Sequence, residues 1–177
     1  MITPEQAWAD ALRAAPQIMI VTGEIGGGKT TWCTALIEHV RAGGFRAAGL
    51  LCPGVFKDGR KVAVDVVDLV SQEKRRLAAR NVVYDTSSPT PNWKFDSAVL
   101  AWGNQVLAAI EQTDLLLIDE LGPLELLKGK GWQAGIQLLE RGDFRVACVV
   151  VRRELLNVMI ARFPNAVIAT ELTHENS

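Results

Sequence analysis

Residues 21 to 32, Val-Thr-Gly-Glu-Ile-Gly-Gly-Gly-Lys-Thr-Thr-Trp, set four glycines, a lysine and a Thr-Thr pair directly behind a short apolar run. No other stretch restricts the fold so far. The run before it, Gln17 to Thr22, is rich in β-branched residues and carries no charge, as a strand covered on both faces requires. After it, Cys33, Leu36, Ile37 and Val40 recur at helical spacing. The stretch therefore reads as strand, glycine loop and helix.

Gly23-Glu24-Ile25-Gly26-Gly27-Gly28-Lys29-Thr30 fits G-x-x-x-x-G-K-[ST] at each fixed position. Bare backbone suits an anion, because converging N–H groups grip it where side chains would hold it away. Gly23, Glu24, Ile25, Gly26, Gly27 and Gly28 are thus expected to wrap the phosphates of ATP or another nucleoside triphosphate. The positive end of the following helix adds to the attraction. Lys29 is expected to reach the β- and γ-phosphates, Thr30 to offer its hydroxyl to Mg²⁺, and Thr31 to touch the α-phosphate.

A second buried run, Leu115-Leu116-Leu117-Ile118, turns abruptly acidic at Asp119-Glu120. Asp119 stands where a carboxylate helps hold Mg²⁺ in phosphate-loop proteins, although a strand-end Asp also serves as a turn cap. Glu120 alternates to the other face, yet at a strand end it can lean toward the γ-phosphate and orient or deprotonate a water. Its bland reading is a surface acid. Charge developing on a transferred phosphoryl group also asks for a cation. Arg152 and Arg153, behind the apolar strand 146–151, are candidates, with Arg60 and Arg76 as alternatives. The catalytic set expected from the sequence is Glu120, Lys29 and Arg152.

The remaining chain supplies further βα units. An amphipathic helix is expected over 4–14, strands over 45–51 and 62–67 about a Lys-Asp-Gly-Arg turn at 57–60, and one or two short strands over 74–84. A helix carrying Phe95, Val99, Trp102, Val106 and Ile110 follows the proline-bearing loop 86–92. Helix 132–140, strand 145–151, helix 154–163 and strand 166–169 complete the pattern. Nineteen basic and twenty acidic residues leave a net charge of −1, so nucleic-acid binding is not expected. Cys33, Cys52 and Cys148 are odd in number and set among apolar residues, hence small buried hydrophobes. With no charged-then-apolar leader and no membrane-length apolar run, a soluble cytoplasmic protein is expected, and nothing in the composition opposes a monomer.

"LLLIDELGPLEL" behind a GEIGGGKT loop resembles the small nucleoside-triphosphatase family that includes cancer-related nucleoside-triphosphatase and its microbial, kinase-like relatives. A softer likeness covers "GLLCPGVFKDGRKVAVDVVDLVSQEKRRLAAR". Pro123-Leu124 stand where the family often has Lys-Met, a departure at a turn. The resemblance implies slow Mg²⁺-dependent hydrolysis of several nucleoside triphosphates, with Lys29, Thr30, Asp119 and Glu120 in the corresponding motifs. The expected fold is a three-layer α/β P-loop NTPase domain, RecA- or kinase-like, with a mostly parallel sheet and an antiparallel hairpin extension in the 45–84 region. Residues 1–177 are expected to form that single domain, with 1–16 as an N-terminal helical extension. A carboxylate directly after Asp119 suggests that another strand lies between the loop strand and the acidic strand. Two other readings use the same residues. A nucleotide or metabolite kinase would need a water-excluding lid, for which loop 85–93 is the candidate. A nucleotide-gated switch acting on a protein partner is the third, although neither Asn-Lys-x-Asp nor Leu-Ser-Gly-Gly-Gln occurs here.

Overall fold

A computed structural model describes residues 2–81 and 92–173. In chain order the elements are α1 (Pro4–Arg13), β1 (Gln17–Gly23), α2 (Lys29–Ala42), β2 (Ala47–Leu51), β3 (Gly54–Lys57), β4 (Arg60–Asp68), β5 (Lys74–Arg80) and β6 (Trp93–Phe95). They continue with α3 (Ser97–Ala108), β7 (Thr113–Leu121), α4 (Pro123–Lys128), α5 (Gln133–Arg141), β8 (Phe144–Val151), a 3₁₀ turn (Arg153–Leu155), α6 (Leu156–Arg162) and β9 (Val167–Leu172).

Apolar strands with a period of two must be covered on both faces, and the central strands split their side chains accordingly. Met19, Val21, Leu115, Leu117, Val146, Cys148 and Val150 face a core shared with α1 and α2. Ile20, Leu116, Ile118, Ala147, Val149 and Val151 face the opposite core, built with residues of α3, α5 and α6. Helices on both faces of one sheet make three layers, as expected. The order is β6-β5-β4-β2-β7-β8-β1-β9, with β3 off this path, paired to β4 on the edge that β4 also shares with β2. The five strands from β2 to β9 are mutually parallel, so their carboxyl ends share one edge. β8 lies between the loop strand β1 and the acidic strand β7, the arrangement suggested by the Asp-Glu pair. The other strands add an antiparallel wing through β2–β4.

Several boundaries differ from the sequence expectation. The Lys-Asp-Gly-Arg turn joins β3 to β4, not the 45–51 strand to its successor. β3 escapes notice because it is four residues long with two exposed, and shows no alternation. Phe95 ends β6 instead of opening a helix, since Asp96 caps α3 by accepting from the amides of Ala98 and Val99. The helix expected from 154 starts with a 3₁₀ turn, and the last strand runs to Leu172. Val82–Tyr84 and loop residues 85–91 lie outside the described residues. α1 packs Ala7, Trp8 and Ala11 into the α2-side core, with Trp8 edge-on to Phe45 at 5.4 Å. All three cysteines are buried and free, as expected.

Candidate active site

Ligands of open α/β sheets collect at the carboxyl ends of the strands, and here four consecutive ends carry polar groups. β1 leads into the glycine loop. Gly23 has φ 135°, and a Cβ there would lie only 1.9 Å from the Leu172 carbonyl oxygen of β9, so glycine is obligatory. Gly28 opens α2 at φ 84° without a side-chain cap. The first-turn amides are thereby left facing the loop, with the positive helix end behind them. Ile25 projects into solvent at the loop tip, 77% exposed, and Thr31 is exposed on the first turn of α2.

Lys29 Nζ donates to the carbonyls of Gly23 at 3.0 Å and Glu24 at 2.6 Å. Burial lowers its pKa, opposed by the nearby Glu120 and Asp119 carboxylates and reinforced by Arg152 and Lys61. Asp119 is 3% exposed. Its Oδ2 accepts from the Cys52 amide at 2.9 Å, at the end of β2. Burial raises the Asp119 carboxyl to about 6, moderated by the Cys52 amide, the nearby Thr30 hydroxyl and the charge of Lys61. The Thr30 hydroxyl and the Asp119 carboxylate are thus adjacent.

Glu120 follows with φ 80°, the left-handed region that a side chain rarely adopts. The pairing of β7 with β8 shifts register between Ile118 and Leu121 at this point. Simple alternation would turn Glu120 away from Asp119; this irregular backbone re-aims it. Its Oε1 accepts from Arg152 Nε at 2.5 Å, and both side chains remain more than a third exposed. Of the four sequence candidates for a cation, Arg152 is therefore brought to Glu120. Arg153 pairs with Glu171 and Arg76 with Asp65, each at 2.5 Å, while Arg60 lies exposed at the β3–β4 turn.

Two features escape the sequence reading. Gly122-Pro123 starts helix α4, because proline's fixed φ suits a first helical position. Glu125 is buried there and accepts from the amides of Gly122 at 2.8 Å and Trp132 at 2.9 Å, tying the β7 end to the start of α5. Burial nevertheless raises its pKa. The other feature is Lys61 on β4, whose ammonium acts electrostatically on both Lys29 and Asp119. A solitary lysine in a hairpin carries no spacing signal that would single it out.

A family model described as NTPase matches residues 18–177. The chain belongs to this NTPase family. Nucleoside-triphosphatase THEP1 of Methanopyrus kandleri is 28% identical over 113 residues, which cover 63% of this chain and 61% of that protein. Its counterpart in Saccharolobus solfataricus is 33% identical over 108 residues, 61% of each chain. The matched segment thus spans about three fifths of these NTPase relatives. The solution structure of a human cancer-related nucleoside triphosphatase superposes with a TM-score of 0.66 at 22% identity, covering 90% of both chains, so this chain shares its fold. Among the described residues no helix is long and apolar enough to cross a membrane.

Proposed function

We propose that this chain is a Mg²⁺-dependent nucleoside triphosphatase, a hydrolase acting on the phosphoric anhydride of NTP to give NDP and phosphate, with broad base specificity and slow turnover. The carrying observation is Glu120: a carboxylate held in left-handed backbone at the end of β7, beside buried Asp119 and paired with Arg152. Membership of the NTPase family and the THEP1 relatives support the same reading.

The loop amides and the α2 terminus bind the phosphates, and Lys29 exchanges the Gly23 and Glu24 carbonyls for phosphate oxygens, which are stronger acceptors for an ammonium. Thr31, next along the first turn, lies toward the α-phosphate. Glu120 accepts a proton from the water that attacks the terminal phosphorus, and Arg152 orients that carboxylate and offsets charge on the transferred group. Thr30 and Asp119 are the residues that would hold Mg²⁺. A hydroxyl and a carboxylate are the hard oxygen donors this ion takes, with water and phosphate oxygens completing the shell. When bound, Mg²⁺ supplies charge neutralisation at the β- and γ-phosphates.

Phosphate release from ATP, GTP, CTP and UTP, each with and without nucleoside monophosphates, tests this reading. The expected result is comparable slow hydrolysis of all four, indifferent to monophosphates and lost in Lys29→Ala. Release of nucleoside diphosphate only when one monophosphate is present would replace the triphosphatase with a kinase.

A further inference from the structure

Resting on that triphosphatase reading, we propose that Lys61, delivered from the antiparallel wing, is a second lysine that contacts the terminal phosphate of the bound nucleotide. The wing is joined to the parallel sheet through β2 and β4, on the side of β7 away from the loop strand. Lys61 thus approaches Asp119 from the flank opposite Lys29.

A short segment of chain fixes this placement. The Cys52 amide donates to Asp119 Oδ2 at 2.9 Å. Two residues on, a Cβ added to Gly54 would come within 2.9 Å of Lys61 Cε, so the lysine stem runs over that glycine. Residues 52–54 therefore touch Asp119 at one end and Lys61 at the other. The Lys61 ammonium stands 5.8 Å from the Trp93 ring centroid. Such a contact is weakly directional and leaves the donors of the ammonium available to an anion. Neighbouring wing cations are used differently, since Lys74 and Arg76 both face Asp65, at 3.9 and 2.5 Å. The influence of Lys61 on both Lys29 and Asp119 agrees with a charge aimed into the site.

A cation on this flank meets the phosphate nearest Asp119 and Glu120, which a diphosphate lacks. Lys61 then discriminates substrate from product. The wing, whose strands carry no part of the glycine loop, becomes a wall of the active site.

The test measures equilibrium affinity for Mg·ATP and Mg·ADP in the wild type, Lys61→Gln and Lys61→Arg, with phosphate release followed in parallel. Gln keeps much of the stem that covers Gly54, and the thermal midpoint of each variant checks the fold. The expected result is a loss of about tenfold in ATP affinity for Lys61→Gln, with ADP affinity changed by less than about twofold, and substantial recovery in Lys61→Arg. Gly54→Ala, which displaces the lysine without removing its charge, should shift the ratio the same way. An ATP-to-ADP ratio in Lys61→Gln equal to that of the wild type overturns the proposal. Wild-type protein that binds ATP with the expected ratio and releases no phosphate overturns the triphosphatase reading alone, and failure to bind either nucleotide overturns both.

Discussion

Asp119 and Glu120 are adjacent in sequence and handled in opposite ways. Asp119 is sealed beneath the Cys52 amide, and burial lifts its carboxyl from 3.8 to about 6. The folded state then holds this proton more tightly than the unfolded chain. The neutral carboxyl's stabilising contribution is fully present below the unfolded value and is lost as pH rises from about 4 to about 6. Measured without nucleotide or Mg²⁺, the stability difference between wild type and Asp119→Asn should shift against the wild type across that window, by on the order of 3 kcal/mol. Denaturant midpoints at half-unit pH steps read this directly, and a difference that stays flat would mean that Asp119 is ionised throughout. Glu120 is instead over a third exposed and bears backbone strain. Strain of this kind costs about 1–3 kcal/mol and persists where the surroundings over-determine it, as the register shift and the Arg152 pair do here.

At the scale of elements, α3 and α5 meet through Gly103, where a Cβ would fall 2.2 Å from Trp132 Cζ3. Alanine in mid-helix gains about 1 kcal/mol over glycine in propensity, whereas overpacking a buried contact costs about 1–3 kcal/mol. Since Trp132 is only 3% exposed and cannot swing clear into solvent, the packing cost should win. Gly103→Ala is expected to lower Tm by a few degrees, at about 2–4 °C per kcal/mol for a chain of this size. A raised Tm would show that Trp132 repacks without loss. The helices and strands that could be read from the sequence are those whose burial repeats, such as β7 with Leu115 and Leu117 on one face and Leu116 and Ile118 on the other. β3 and α4 could not be read that way. β3 is short and half exposed, while α4 hides behind a Gly-Pro pair that signals a turn and in fact places proline at the first helical position.

Across the whole molecule, the candidate site is the shared carboxyl edge of β1, β2, β7 and β8, to which the proposal adds Lys61 of the wing. The loop, Asp119 and Glu120 were legible because each motif lies within a few residues of sequence. Contacts made across the sheet were not: the Cys52 amide on Asp119, Arg152 on Glu120 and Lys61 over Gly54 join residues from different strands, and spacing along the chain does not encode them. Composition was uninformative for a related reason, since a net charge of −1 averages over cations that the fold gathers at one edge. On the proposed function, Glu120 activates water at this edge without being needed to hold the nucleotide. The most direct test is Glu120→Gln, with ATP affinity and phosphate release measured on the same preparation. The expected result is affinity within about threefold of wild type and release slowed by about a hundredfold or more. Release that persists near the wild-type rate, or that falls only in step with lost ATP binding, would contradict it.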